Sequence, residues 1–186
     1  MKKILKFFIS SVVRLHYKRN GVIFSNIKAL GIPKIRNKGK ILIGNNCTIK
    51  SGILFNPTFN ISKTILTTEK DDSILTIGNN VGISNTILYA AKSITIDDNV
   101  MLGAGVKIFD TDFHQIDPLD RLKGTGVIKM KPVHIKKNVF IGAGAMILKG
   151  VTIGENSVIG ALSVVTKDVP ENQIWAGNPA RHVSDI

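Results

Sequence analysis

The feature that most constrains this fold is a six-residue repeat of aliphatic side chains. From residue 135 onward an aliphatic residue recurs at every sixth position, at Ile135, Ile141, Ile147, Ile153, Ile159 and Val165. Four positions after each of the first five lies a small or β-branched residue, in the series Val139, Ala145, Val151, Ser157 and Ser163. The same spacing occurs earlier, at Ile96, Leu102 and Ile108, at Ile77 and Ile83, and at Ile43 and Ile49. Six consecutive matches in one register argue against a chance pattern in an ordinary β-sandwich.

A six-residue period predicts a coiled arrangement of short parallel strands. Six residues form one strand and one corner, and three such units complete a triangular coil that stacks on the next at the ~4.8 Å spacing between strands. Asn and Gly cluster directly after the aliphatic residues, in the runs IGNN, IDDN and IGEN. A tight corner needs residues that tolerate positive φ, and Asn and Gly do so. We therefore expect an all-β chain folded as a parallel β-helix.

Interruptions of the period predict loops. The interval from Ile108 to Ile135 is 27 residues, which is not a multiple of 18, so a loop leaves the coil over residues 109–134. That segment is polar and marked by Gly and Pro, as functional loops on rigid scaffolds often are. The interval of thirteen from Ile83 to Ile96 predicts one extra residue at a corner. The expected organisation is a helical and basic segment over 1–30, the coil over 31–166, and a capping tail over 167–186.

The N-terminal segment has a basic start and an apolar run. Lys6 interrupts that run, no small-residue cleavage site follows it, and it is shorter than the ~20 residues that cross a bilayer. Ile4, Phe8, Val12 and Leu15 fall on one helical face, which predicts a short amphipathic helix. This face either packs on the body of the protein, the interpretation we favour, or touches the inner surface of a membrane.

Charge and cysteine content limit the expected partners and compartment. Residues 1–68 contain thirteen Lys or Arg and no acid, whereas residues 69–186 contain twelve basic and thirteen acidic side chains. Such a segment attracts anionic lipid or acidic polysaccharide. No nucleic-acid motif accompanies it, so we expect no nucleic-acid partner. The single cysteine, Cys47, excludes an internal disulfide and fits the cytoplasm, and we expect it to be a core residue rather than a nucleophile.

The C-terminal sequence resembles a known family. The run VFIGAGAMILKGVTIGENSVIGALSVVTKDVPENQIWAGNPAR is similar to the last coils of hexapeptide-repeat acetyltransferases, the group of maltose, galactoside, nodulation-factor and polysaccharide O-acetyltransferases. The likeness extends over roughly residues 75–183. It implies a left-handed coil, a homotrimer with active sites between neighbours, and no metal. It also implies transfer of acetyl from acetyl-coenzyme A to a hydroxyl of a sugar or polysaccharide.

The resemblance assigns the general base to a histidine in the extruded loop, which is His114 here. A sugar hydroxyl is a poor nucleophile, and imidazole has a pKa near working pH, so it can remove the proton during attack. Asp110 or Asp112 would orient the ring, and the sequence does not choose between them. Without the flanking repeats, His114 would be interpreted as an ordinary surface residue.

The donor and acceptor sites are also implied by the resemblance. Small residues would let the pantetheine arm lie against backbone, although tight coil packing explains them equally: Gly142, Ala143, Gly144, Ala145, Gly160 and Ala161. Thr166, Lys167 and Arg181 match positions that contact the coenzyme, and the two cations can meet its phosphates. Ser84 and Asn85 are the candidate acceptor contacts, with a corner role as the alternative for Asn85. Trp175 either covers the adenine or packs under the tail.

Three alternative functions remain open at this point. N-acetylation of an amino-sugar nucleotide uses the same donor. A metalloenzyme like the γ-type carbonic anhydrases needs three converging imidazoles, whereas the chain has only His16, His114, His134 and His182, with no close pair. A non-catalytic solenoid that only binds glycan or membrane is the third.

Overall fold

The computed structural model describes residues 2–55 and 63–186, and their side chains from residue 11 onward. In these ranges the chain forms a left-handed parallel β-helix preceded by α1 (Lys2–Arg19), which confirms the expected fold class. Six triangular coils stack on one another, and each contributes one strand to each of three faces. A second helix, α2 (Pro118–Lys123), lies in the extruded loop.

Strands of successive coils pair in parallel on each face. The first face contains β1 (Val22–Phe24), β4 (Lys40–Ile43), β7 (Ile74–Ile77), β10 (Ser93–Ile96), β13 (Val133–Ile135) and β16 (Thr152–Ile153). The second contains β2 (Ile27–Leu30), β5 (Cys47–Lys50), β8 (Gly82–Ser84), β11 (Met101–Leu102), β14 (Phe140–Ile141), β17 (Val158–Ile159), β19 (Gln173–Gly177) and β20 (Ala180–Asp185). The third contains β3 (Lys34–Asn37), β6 (Ile65–Thr68), β9 (Ile87–Ala90), β12 (Lys107–Phe109), β15 (Met146–Ile147) and β18 (Val164–Val165).

The repeated aliphatic residues form the interior of the prism. On the second face Ile49, Ile83, Leu102, Ile141 and Ile159 are paired in register from coil to coil, and each is at most 3% exposed. Burial of these side chains is the main stabilising term, at about 25 cal/mol per Å² of apolar surface. Cys47 is also fully buried within this core, as expected, and burial raises the pKa of its thiol.

A ladder of asparagines supports the corner between the first and second faces. Asn46, Asn80, Asn99, Asn138, Asn156 and Asn172 all have φ between 57° and 61°. The side-chain amide of Asn99 donates to Asn138, that of Asn138 to Asn156, and that of Asn156 to Asn172, at 2.8–3.0 Å. The runs IGNN, IDDN and IGEN thus supply both the left-handed backbone and the hydrogen bonds that tie one corner to the next.

The interruptions of the period lie mostly where the sequence predicts them. Ile83 pairs with Leu102, nineteen positions later, so one extra residue is accommodated in this coil. The large loop occupies residues 110–132, between β12 and β13. Another break, which we call the first excursion because it comes earlier in the chain, separates β5, ending at Lys50, from β6, starting at Ile65, and the sequence did not predict it. Only Ile43 and Ile49 define the period just before it, so a change of register was not detectable there.

The N-terminal helix packs through a face that the sequence did not predict. Val13 and Tyr17 are fully buried against the first coil, and the ring of Tyr17 lies 5.7 Å from that of Phe24. Val12 and Leu15 are 52% and 47% exposed. Ile4 and Phe8 lie outside the residues whose side chains are described. The helix ends at Arg19 and the coil begins at Val22, earlier than the predicted boundary at residue 31.

The C-terminal tail closes the other end of the coil. Strand β19 pairs in parallel with β17 and antiparallel with β20. Trp175 pairs with Ile159 and is 7% exposed, so it extends the aliphatic stack by one layer. Of the two roles considered for this residue, packing under the tail is the one observed. The ammonium of Lys167 lies 5.2 Å from the centre of its ring.

We expect Asn138→Ala to lower the free energy of unfolding by about 1–3 kcal/mol. Alanine is strained at a left-handed φ, and without the amide the ladder loses two hydrogen bonds. Asn138→Gly should cost less, since glycine adopts the same φ without strain. Urea unfolding of the three proteins measures both values. Equal stability of Asn138→Ala and wild type would show that the ladder contributes nothing.

Candidate active site

The stem of the extruded loop is anchored by Asp110. Its carboxylate is fully buried and accepts hydrogen bonds from the backbone N–H of Ala91 and of Lys92, each at 2.7 Å. Burial raises the pKa of this carboxyl, and the backbone N–H donors oppose that shift. The backbone N–H of Lys131 donates to the carbonyl of Asp110 at 2.9 Å, which closes the loop at its base. Asp110 therefore fixes where the loop leaves and rejoins the coil.

His114 lies just beyond this stem, in a tight turn. Its backbone N–H donates to the carbonyl of Asp112 at 2.7 Å, and the residue between them, Phe113, has φ = 63°. A positive φ is unusual for a bulky residue and is held only where the surroundings impose it. The His114 side chain is exposed, and within the described part of the chain its imidazole has no hydrogen-bond partner. The ring is therefore accessible to a ligand or to another protomer.

Asp112 is tethered to the coil by Lys149. The Lys149 ammonium lies 2.5 Å from the Asp112 carboxylate, and both side chains are largely shielded from solvent. Lys149 follows β15, so the ion pair ties the turn of His114 to the coil above the loop. Neither Asp110 nor Asp112 is hydrogen-bonded to the His114 ring in the described chain. Both carboxylates instead hold the loop that carries it.

An aromatic cluster packs the turn of His114 against the third face of the coil. The Phe113 ring lies 4.8 Å from that of Tyr89 and 5.2 Å from that of Phe109, in edge-to-face geometry. The Tyr89 hydroxyl donates to the Glu69 carboxylate, and burial together with Glu69 raises the pKa of Tyr89 to about 12. A cavity of about 190 Å³ lies beside the turn, lined by Glu69, Lys70, Tyr89, Ala91, Thr111, Phe113, Ile128 and Met130. It offers aromatic surface and one carboxylate beside Phe113, the residue that precedes His114.

The small residues predicted for the donor site lie at the corner between the second and third faces, but they differ in accessibility. A Cβ at Gly142 would lie 2.5 Å from the backbone N of Ala161, and one at Gly160 would lie 2.8 Å from the Ala176 Cβ. Gly144 has φ = 71°. These glycines are therefore required by the close stacking of the coils.

The remaining donor candidates divide into one buried residue and several accessible ones. Ala145 is fully buried, so its side chain belongs to the core. Ala143 is half-buried, and Ala161 is exposed at the equivalent corner one coil further. The exposed side chains of Thr166, Lys167 and Arg181 lie at the tail end of the coil. The accessible candidates thus lie along one corner and the adjoining end of the coil.

The two acceptor candidates also differ in accessibility. Asn85 is fully buried with φ = 46°, and its side-chain oxygen accepts from the backbone N–H of Gly52 at 2.9 Å, so it supports the first excursion. Ser84 lines a shallow cavity of about 270 Å³ on the second face, with Lys50, Met101 and Phe140. The His114 loop leaves the coil after the third face. Within one chain these residues therefore lie at a different corner from His114.

The other histidines have structural partners and do not converge. His16 contacts the carbonyl of Pro33, His134 contacts Asp97, and His182 contacts Asp185, each at 3.0 Å. Across residues 2–55 and 63–186 no group of three potential metal ligands occurs. The geometry thus gives no support to a carbonic-anhydrase-like centre.

The residues that sequence reasoning missed are Glu69, Tyr89, Phe113 and Lys149. Tyr89 occupies an outward position of β9, where the alternation of buried and exposed residues in ILYA was a usable signal. Lys149 is separated from Asp112 by 37 positions, so no local pattern could reveal their ion pair.

We expect Lys149→Met to loosen the extruded loop without unfolding the coil. Loss of a tether worth about 1 kcal/mol should raise the rate of trypsin cleavage after the exposed Lys123 or Lys129 about fivefold. Mass spectrometry of timed digests measures the effect, and Lys136→Met, at an exposed corner, is the matched control. Equal loop cleavage in both variants would mean that the ion pair does not hold the loop.

Comparison with known proteins agrees with this architecture. The model of the bacterial transferase hexapeptide family (six repeats) matches residues 132–167. Protein CapG from Staphylococcus aureus is 36% identical over 157 residues, which cover 84% of this chain and 72% of CapG. The chain spans about half the length, 44% and 51%, of two curated relatives that it matches at 48% and 46% identity.

Solved structures give the same result. A maltose O-acetyltransferase from Clostridium difficile 630 is 32% identical with a TM-score of 0.57, over 89% of this chain and 70% of that one. A mutant of AntD, an N-acyltransferase from Bacillus cereus in complex with dTDP-4-amino-4,6-dideoxyglucose and coenzyme A, is 26% identical with a TM-score of 0.73, over 92% and 88%. CapG and the maltose O-acetyltransferase are both more than 30% identical over long matches, and with the six-residue repeat and the stacked coils they show that the chain belongs to the hexapeptide-repeat acetyltransferase family.

Proposed function

We propose that this protein transfers acetyl from acetyl-coenzyme A to a hydroxyl of a sugar or polysaccharide, with His114 as general base. One observation carries the proposal: the exposed imidazole of His114 stands on a turn that Asp110, Asp112 and Phe113 hold to a rigid coil. A fixed base with an open side is what proton removal from an incoming hydroxyl requires. The name of the maltose O-acetyltransferase similar to this chain supports a sugar hydroxyl as acceptor.

The reaction needs one proton acceptor and balances without a metal or a redox partner. The acceptor oxygen attacks the thioester carbonyl carbon while its proton passes to the His114 ring. The tetrahedral oxyanion then collapses, the carbon–sulfur bond breaks, and the imidazolium returns the proton to the leaving thiolate. Imidazole suits both steps because its ordinary pKa lies near neutrality. A backbone N–H along the donor groove would stabilise the oxyanion.

For the donor we propose the accessible small-residue corner and the tail end of the coil. Ala143, Gly160 and Ala161 are small and at least partly accessible, so the pantetheine arm could lie against this corner without a bulky side chain in its way. Gly142, Gly144 and Ala145 act indirectly, because they let the coils stack closely enough to form this corner. Thr166, Lys167 and Arg181 would contact the coenzyme, the two cations at its phosphates. The AntD structure supports this assignment of the donor, since it contains coenzyme A.

For the acceptor we propose the cavity beside His114. Sugar rings pack on aromatic faces, here Tyr89 and Phe113, and their hydroxyls donate to carboxylates such as Glu69. Asn85 is buried within its own chain, and Ser84 lies at another corner, so Ser84 approaches His114 only if a neighbouring protomer contributes that corner. We infer a homotrimer for this reason, since a three-fold heterologous interface closes on itself.

N-acetylation of an amino-sugar nucleotide is the second candidate. It is favoured by the similarity to AntD, whose structure contains an amino-sugar nucleotide. An amine needs less help with deprotonation than a hydroxyl does, so this reaction would depend less on His114.

We expect His114→Ala to lower the rate of acetyl transfer by about 10²–10⁴-fold, because the general base is lost. The assay measures thiol release from acetyl-coenzyme A with a candidate sugar. Coenzyme A binding, measured by calorimetry, should be unchanged. His16→Ala is the control, since its ring contacts the carbonyl of Pro33 at the N-terminal end of the coil, away from the proposed donor and acceptor sites. Equal transfer rates in His114→Ala and wild type would remove His114 from the mechanism.

The product distinguishes the two candidate functions. We expect mild alkali to release the added acetyl group, because an ester is hydrolysed under conditions that leave an amide intact. Mass spectrometry of the product before and after alkali measures this. An acetyl group that survives the treatment would favour the amino-sugar reaction.

A further inference from the structure

The positive charge of this protein is concentrated at one end of the coil. Residues 1–68 carry thirteen basic side chains and no acid, and they form α1 and the first two coils. Nine of these cations have exposed side chains in the described part of the chain: Arg14, Lys18, Arg19, Lys28, Lys34, Arg36, Lys38, Lys40 and Lys63. Residues 69–186 are close to neutral, with twelve basic and thirteen acidic side chains. The N-terminal end is therefore a strongly cationic surface on an otherwise balanced molecule.

Over residues 11–19, helix α1 has one apolar face that the protein covers and one that it leaves exposed. Val13 and Tyr17 pack on the first coil. Val12 and Leu15 point to the opposite side, about 150° around the helix axis at 100° per residue, and remain 52% and 47% exposed. We call this surface the outer helix face. A groove of about 480 Å³ lies beside it, between α1 and the first coil, and is lined by Ser11, Arg14, Leu15, Lys18, Phe24 and Ser25.

Further apolar side chains are exposed at the same end. Ile23 on β1 is 64% exposed, and Ile32, at the corner after β2, is 45% exposed. Ile53 and Leu54, in the first excursion, are 64% and 88% exposed. One such residue would be unremarkable, but this set shares one end of the molecule with the cations.

We propose that this N-terminal end docks on a bilayer surface that contains anionic phospholipid, with the outer helix face lying among the headgroups. Apolar side chains flanked by Lys and Arg match the acyl boundary and the negative headgroups together. An acidic polymer would match the cations but would leave Val12 and Leu15 in water. A second copy matches less well, because its thirteen acids are balanced by twelve basic side chains in the same part of the chain, and two such cationic ends repel each other.

The docking would be peripheral. Among the described residues no helix is both long enough and apolar enough to span a bilayer. The His114 loop leaves the fourth coil, about 15–20 Å from the N-terminal end at ~4.8 Å per coil. On the proposed function, the base would then reach an acceptor that is held at the same surface.

Co-sedimentation of the full chain with vesicles tests the proposal. Vesicles of equimolar phosphatidylglycerol and phosphatidylcholine should bind the protein, and vesicles of phosphatidylcholine alone should bind it much less. Lys18→Glu with Arg19→Glu should weaken binding by at least about 25-fold, since each cation contributes about fivefold. Lys136→Glu with Lys137→Glu, at the corner of the fifth coil, is the matched charge control and should bind like wild type. His114→Ala should also bind like wild type, so failure of docking and failure of the transferase proposal are separable.

A second variant tests whether the exposed apolar side chains of the outer helix face contribute to binding. Val12→Ser with Leu15→Ser keeps the packed face and every cation, and it should reduce binding to the anionic vesicles while leaving the unfolding midpoint unchanged. Undiminished vesicle binding by this variant would mean that the end recognises negative charge alone, and this would overturn a bilayer as the partner. A change in its sedimentation coefficient without vesicles would make the outer helix face a contact between copies, which would also overturn the proposal.

Discussion

The structure depends on the stacking of equivalent aliphatic side chains in register along the coil. Ile49, Ile83, Leu102, Ile141 and Ile159 lie one above another, and Trp175 closes the column. No single coil can bury its own apolar residues, so each coil is stable only because its neighbours cover it. Every other feature of the molecule is an interruption or an end of this stack. Functional residues are therefore expected where the stack is interrupted or terminated.

The candidate site combines this rigidity with one long excursion. The coil fixes both stems of the loop through Asp110, whose buried carboxylate satisfies two backbone N–H groups, and Lys149 holds the turn from the coil above. The His114 imidazole has no hydrogen-bond partner among the described residues, although the backbone N–H of His114 donates to Asp112. Polar groups with structural tasks thus hold the turn and leave the imidazole open, which is the arrangement expected of a base that must change protonation during a reaction.

Different elements cover the two open ends of the coil. At the C-terminal end the β19–β20 hairpin covers the last coil, and its indole is nearly buried. At the N-terminal end α1 covers the first coil with Val13 and Tyr17 but presents a second apolar face and many cations to solvent. An exposed end of this kind is the natural place for a surface contact, whereas the tail end is closed.

The sequence alone determined the parts of the structure that repeat. A period of six fixed the inward positions, the Asn-rich corners with left-handed φ, the start and end of the large loop, and the position of His114 on it, because each follows from local spacing. Only the tertiary structure decided contacts between residues that are distant along the chain. It assigned Asp110 and Asp112 to the loop stems, buried Asn85 under the first excursion, joined Lys149 to Asp112, and selected Val13 and Tyr17 as the packed face of α1. These contacts depend on which residues of successive coils become neighbours. The lengths of the loops decide this, and the loops do not follow the six-residue period.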